Sequence, residues 1–281
     1  MKLLLDQEKI VLAKKQLKKA YFRISKPSYD SGLFVAQPFS ESPQLIKYYK
    51  AVNKKTFRSF SNDYNYNLCW IRDTLKIAHY FYVINNTRIL LKMTHSILDY
   101  LHLNEEKMKK VIKKKGKLNH KTDCIFPRFS PLTLEPIPAD HGKSLQLDMA
   151  DLLKHLAKLN KERIHVLRNK KDGETLQLFL DYLIRWDYGY AGTKKGDFGI
   201  WEEGAGKRKA DPELHASTIA TMLLGFQEIR GSRFNNQILN IPSAHIARGK
   251  KLLSTHLKNY GESKTRYADI TLLIVLHESL L

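Results

Sequence analysis

This 281-residue sequence predicts an all-α fold, and three observations carry the prediction. Apolar residues recur at helical spacing through roughly nine segments, few stretches show the period-two alternation of a strand, and loops bearing Pro, Gly and Asn separate the segments. With 43% hydrophobic residues the chain can supply a substantial core. No linker and no repeat of fixed length divides it, so the expectation is a single domain over 1–281.

The first element is an amphipathic helix over 6–23, with Ile10, Val11, Ala13, Leu17 and Tyr21 at near-helical spacing and lysines opposite. Residues 24–63 carry Pro27, Pro38 and Pro43 and read as a long irregular segment, a length of loop that usually has a functional task. Helical patterning resumes over 71–82 and 87–103, and more weakly over 105–115. A section with Pro127, Pro131, Pro136 and Pro138 interrupts it. Helices are then expected over 144–160, 174–187, 212–229, 244–259 and 266–280.

The 48 Lys and Arg residues exceed the 28 Asp and Glu by 20, a balance that suits a polyanion or an anionic surface. The excess is divided among Lys14–Lys19, Lys107–Lys121, Arg168–Lys171, Lys194–Lys195 and Lys207–Lys209, and reads as solvated helix faces and loops. The longest of these runs has no interleaved aromatics for stacking on bases, which argues against nucleic acid as a partner. No apolar run reaches bilayer length, and the N-terminal Leu3–Leu5 meets Asp6 before a signal-peptide core can form. The expectation is a cytoplasmic protein without membrane partners. Cys69 and Cys124 are too few for a metal cluster and read as buried free thiols. The histidines show no ligand-like grouping, and phosphate loops and dinucleotide fingerprints are absent, so neither metal nor cofactor is expected.

Two segments concentrate chemistry. Asp197-Phe198-Gly199-Ile200-Trp201-Glu202-Glu203-Gly204 places two carboxylates directly after a tryptophan in a turn-prone stretch, and Tyr66-Asn67-Leu68-Cys69-Trp70-Ile71-Arg72-Asp73 lies upstream. An indole or a phenol suits the apolar C–H face of a sugar, Arg and Asp suit its hydroxyls, and breaking a glycosidic bond needs a carboxylic acid at the leaving oxygen. Trp201 would exclude water from Glu202 and Glu203 would add a like charge, both favouring the protonated acid, while Lys207, Arg208 and Lys209 oppose them. Each piece also has a plainer reading. Trp201-Glu202-Glu203 suits a solvent-facing turn with a core tryptophan, and Arg72-Asp73 suits an ion pair at a helix start. Arg128 and Asp148 suit structural salt bridges, and His215 suits packing or capping.

Five stretches occur in the order found in one family: Ser31–Ala36, Tyr64–Asp73, Gln146-Leu147-Asp148, Asp197–Gly204 and Pro212-Glu213-Leu214-His215-Ala216-Ser217. The chain thereby resembles family 15 glycoside hydrolases, the glucoamylase-like enzymes, and the related domain of phosphorylase kinase regulatory subunits. The resemblance implies an (α/α)6 toroid of paired helices, the six-hairpin glycosidase fold, with site residues on loops at one end. It implies Glu202 as general acid, with Trp201, Glu203, Arg72, Asp73, Trp70 and Tyr66 around the sugar on the non-reducing side of the cleaved bond.

A closed ring of six helix pairs needs twelve helices, and the family's general base lies far downstream of the Trp-Glu-Glu segment. The chain reaches Leu281 before a counterpart, with Glu278 its last carboxylate, so an incomplete, C-terminally shortened ring is expected. Such a ring would expose apolar flanks to a protein partner or a second copy. The implied substrate is an α-glucan or maltooligosaccharide, and the implied activity is inverting release of glucose, weak or absent in this chain. The competing readings are a non-catalytic glucan-binding or regulatory module and, more remotely, a basic helical nucleic-acid binder.

Overall fold

The computed structural model describes residues 32–33, 69–131, 133–137, 145, 147–198, 212–234 and 237–264. Within them the fold is all-α. The helices are α1 (Ile71–Val83), α2 (Thr87–Leu103), α3 (Glu105–Lys113), α4 (Asp151–Lys161), α5 (Lys170–Trp186), α6 (Ala216–Ile229) and α7 (Ser243–Tyr260). Among the described residues the strands form two antiparallel pairs of two residues each, β1 (Cys69–Trp70) with β2 (Arg128–Phe129) and β3 (Arg233–Phe234) with β4 (Gln237–Ile238), and isolated bridges add Leu118–Gly192, Phe129–Pro136 and Asp197–Glu213. The helices expected over 6–23 and 266–280, with the apolar flanks they would expose, lie outside the described residues.

Helix boundaries follow capping chemistry. The Asn86 side chain accepts from the Ile89 N–H at 3.3 Å and starts α2. Asn169 accepts from Asp172 N–H at 3.1 Å, which starts α5 four residues before its apolar periodicity begins. The segment expected as helix over 144–160 begins instead with a 3-10 turn, Leu147–Ala150, that runs into α4. The segment expected from 212 starts at Ala216, because Glu213 is held in a bridge with Asp197.

Two rows of packing position the rest. Helices α1, α4 and α6 pack successively side by side, α2 folds back on α1 after a short loop, and α7 packs on α6. Helix α5 packs against both α2 and α3. Helix α6 is covered by α4, α7 and the 3-10 turn, so Ala216, Ile219, Ala220, Met222, Phe226 and Ile229, which fall on more than one face, are all buried. At Gly225 an added Cβ would lie 2.8 Å from the Ala150 carbonyl oxygen, so the close approach of α6 to that turn requires glycine.

The core is continuous from Leu75 and Phe81 on α1, through Met93 and Leu101 on α2 and Leu152 and Leu156 on α4, to Phe226 on α6. Burial of such side chains contributes about 1.5–3 kcal/mol each. Polar anchors cross it. Tyr100 stacks on Phe129 at 4.5 Å and donates to the Phe126 carbonyl at 2.6 Å, tying α2 to β2. Asp172 accepts from Arg168 N–H at 2.8 Å and lies 2.8 Å from His102 Nε2. Burial alone would raise its pKa, but the bonds from Arg168 and His102 hold it at about 2. Among the described residues, no helix is long and apolar enough to cross a membrane.

Candidate active site

Helices α1, α4 and α6 bring their N-terminal ends together, and the polar side chains collected there define the candidate site. Trp70 ends β1 in extended geometry and opens α1 without a side-chain cap. The first free amide, Ile71 N–H, donates instead to the Pro127 carbonyl at 2.9 Å. Pairing of Trp70 with Arg128 across the β1–β2 ladder puts the Arg128 guanidinium 5.5 Å from the indole centroid. Arg72, on the first turn of α1, lies 6.0 Å from the same ring. The indole thus has two cations within cation–π range.

Arg72 links two carboxylates. Its Nε donates to Asp73 Oδ1 and its Nη1 to Asp148 Oδ2, each at 3.3 Å. Asp73 is about half exposed, whereas Asp148 is buried on the 3-10 turn that leads into α4. Burial pushes the Asp148 carboxyl up to about 7, the charge of Arg72 opposes that rise, and the neighbouring Asp197 adds to it. Arg128 is also buried, and its Nε donates to the Ile137 carbonyl at 3.3 Å.

Two further buried carboxylates serve as helix caps supplied from elsewhere in the chain. Asp197 Oδ2 accepts from Leu147 N–H at 2.9 Å, at the start of the 3-10 turn, and Oδ1 accepts from Thr218 Oγ1 at 3.3 Å on α6. Glu262, just beyond α7, accepts from Ser217 N–H at 3.1 Å and from Ser217 Oγ at 2.5 Å, and its carbonyl takes Ala216 N–H at 2.8 Å. Helix dipoles pointing at these groups favour their negative charge. His215 is the extended residue preceding α6, with Nδ1 3.8 Å from Glu262 Oε1.

Asp197 also exchanges both backbone hydrogen bonds with Glu213, each at 3.0 Å. That bridge fixes the two ends of the stretch that carries Trp201, Glu202 and Glu203. Those three residues lie outside the described residues, as do Tyr66, Tyr64 and Glu278. Of the residues singled out in the sequence, Trp70, Arg72, Asp73, Arg128 and Asp148 are brought together, with His215 at the start of the adjoining helix α6. The plainer readings of Arg72 and Asp148 hold as well, since they form an ion pair.

Sequence reasoning assigned no role to Asp197, Ser217, Thr218 or Glu262. Asp197 opens the Trp-Glu-Glu stretch and could have been noticed there, while Glu262 carries no local signal. Both cysteines are buried, as expected. Burial raises the Cys69 thiol and pushes Cys124 up to about 12, so both are inert. No group of three or more His, Cys, Asp or Glu among the described residues could hold a metal ion. An open cavity of about 650 Å³, bounded by Ile112 on α3, Gln177 and Ile184 on α5 and Pro242, shares no lining residue with this cluster.

No protein-family model and no curated protein sequence matches the chain. Solved structures do. A wild-type glycosidase superposes with a TM-score of 0.53 at 13% identity, and a glycosidase variant in complex with glucose gives 0.52 at 13%. A further glycosidase variant gives 0.52 at 14%. Each match covers 90% of this chain, which spans 58% of the length of those proteins. The likeness, at such low identity, is one of fold alone: the chain has the helical fold of these glycosidases.

Proposed function

We propose that the chain is an α-glucan-acting glycoside hydrolase domain of the glucoamylase type, built as part of an (α/α)6 toroid. The observation that carries the proposal is the Asp197–Glu213 bridge. It joins both ends of the Trp201-Glu202-Glu203 stretch to the helix ends where Trp70, Arg72 and Asp73 gather, as the resemblance implies for a single sugar site. In this reading Glu202 protonates the leaving glycosidic oxygen, Arg72 and Asp73 bind sugar hydroxyls, and Trp70, Trp201, Glu203 and Tyr66 complete the subsite. Arg128 holds the Trp70 indole in place, and Asp148 fixes the Arg72 fork.

A second reading, a glucan-binding module without hydrolysis, is favoured by one specific observation. Inversion needs a second carboxylate about 6.5–9.5 Å from the acid, free to activate water. Among the described residues at these helix ends, Asp148, Asp197 and Glu262 are at most 3% exposed and already accept hydrogen bonds, and Asp73 is engaged by Arg72.

The test is incubation of the folded chain with maltooligosaccharides while the anomeric protons are followed by NMR. Early β-glucose that disappears in Glu202→Gln supports the hydrolase. Ligand line broadening without product supports the binding module, and neither signal rejects both.

A further inference from the structure

Two basic runs far apart in the sequence form one surface. Lys107–Lys121 contains eight lysines and no acid, and Lys194–Lys195 follows more than seventy residues later. The parallel bridge between Leu118 and Gly192 joins them: Leu118 N–H donates to the Ala191 carbonyl at 2.8 Å, and Thr193 N–H to the Leu118 carbonyl at 2.7 Å. His120 Nε2 lies 3.1 Å from the Gly196 carbonyl oxygen, which closes the same contact from the other side.

The lysine loop has a fixed backbone. Arg185 Nη2, from α5, donates to the carbonyls of Lys114 and Gly116 at 2.9 and 2.5 Å. Gly116 takes the left-handed turn at φ +78. Asp123 Oδ2 accepts from Asn119 N–H at 2.7 Å and from Lys114 Nζ at 2.5 Å, and Asn119 Oδ1 accepts from Lys121 N–H at 2.8 Å. That one local acid is therefore occupied. Lys113, Lys115, Lys117 and Lys121 are exposed and form no ion pair among the described residues, and Lys194 and Lys195 are exposed beside them. Such a preorganised array of cations loses little backbone entropy when an anionic chain binds it.

The chemistry of the patch selects among polyanions. Its exposed side chains include no aromatic on which a base could stack, and Tyr190 is already faced by Lys195 Nζ at 5.4 Å and by the Arg248 guanidinium at 5.5 Å. Neither 113–121 nor 193–195 carries an exposed large apolar side chain, so the patch itself offers nothing to insert into a bilayer. It does adjoin the candidate sugar site, because Lys195 is two residues before Asp197.

We propose that Lys113, Lys115, Lys117, Lys121, Lys194 and Lys195 bind the anionic groups of a charged glucan, one bearing phosphate or a comparable substituent, whose chain runs on into the site. The glucan part of this assignment rests on the function proposed above, while the anion part rests on the patch alone.

The test compares phosphorylated amylose, neutral amylose, poly(U) RNA of matched charge and phosphatidylserine vesicles at physiological salt, using isothermal titration. The wild-type chain is expected to bind phosphorylated amylose about tenfold or more tightly than neutral amylose. Lys117→Glu with Lys194→Glu, one change on each side of the bridge, is expected to abolish that advantage. Lys161→Glu with Lys170→Glu, which removes the same charge from other exposed positions, is expected to keep it. Equal loss in both double variants would overturn the patch, as would tighter binding of poly(U) or vesicles than of phosphorylated amylose. Binding of phosphorylated but not neutral amylose, lost only in the first variant, would uphold the patch and count against the sugar site.

Discussion

The Nη1 of Arg72 lies 3.3 Å from Oδ2 of Asp148, joining the first turn of α1 to the turn that opens α4 across 76 residues of sequence. Both groups are largely shielded from water, so removing either strands the other. Above about pH 8, where the Asp148 carboxyl is ionised, Arg72→Ala is expected to cost about 3 kcal/mol, as for other broken buried pairs. Asp148→Asn in the same chain is expected to recover at least about 1 kcal/mol of that loss, a coupling visible in a double-mutant cycle from urea unfolding. Strict additivity of the two changes would mean the pair is not energetically linked.

Asp148 also gives the protein a pH signature. Its pKa is raised from the ordinary 3.8 to about 7, so the folded state keeps a proton that the unfolded chain has released. That contribution to stability is full below about pH 4 and declines as pH climbs through about 7. Asp148→Asn is expected to flatten the fall of melting temperature between pH 5 and 8; an unchanged slope would place the titration elsewhere.

His155 acts in the opposite direction. Burial pushes its imidazole from 6.5 down to about 4. Thr94 Oγ1 donates to the Leu90 carbonyl and so accepts from His155 Nε2–H at 2.9 Å, which fixes the neutral tautomer. The unfolded chain binds this proton first, so stability drops as pH falls from about 6.5 towards 4. His155→Gln is expected to lessen that acid limb in a thermal melt series while leaving the slope above pH 7 unaltered.

Gly196 permits the Asp197–Glu213 bridge. Its φ is +110, and an added Cβ would lie 2.0 Å from the Glu213 carbonyl carbon and oxygen. Gly196→Ala is expected to open the bridge, cost at least about 2 kcal/mol and remove any response to maltooligosaccharides. Gly116, at φ +78 with open space around it, is the control: Gly116→Ala should cost about 1 kcal/mol of left-handed strain and leave sugar binding intact.

Glu262 caps α6 from outside the helix, through both Ser217 donors. Glu262→Ala is expected to lower stability by about 1–2 kcal/mol, and Glu262→Gln to recover part of it by keeping an acceptor. Urea midpoints of the two variants, beside Ser217→Ala, test this. Equal losses in Ala and Gln would show that the carboxylate charge at the helix N-terminus matters more than the acceptor.

Among the described residues, the helical class and most helix limits are legible in the local sequence, because 3.6-residue periodicity and capping residues act over a few neighbours. The stretch 87–103 was legible at both ends, whereas α5 began early because Lys170, Lys171 and Gly173 hide its first turn from any apolar pattern. Trp70, Arg72 and Asp73 stood out for the same local reason, as a compact cluster of sugar-compatible side chains. Which acids leave water follows from packing between segments far apart in the chain. Glu262 follows the helix-ending Gly261 and looks like a surface turn, yet it is 2% exposed because α6 lends it two donors 45 residues away in sequence. Tertiary structure alone also merged Lys107–Lys121 with Lys194–Lys195, since the backbone bonds at Leu118 leave no trace in either run. Burial, pKa and shared surfaces depend on contacts between distant segments, and such contacts have no period in a sequence.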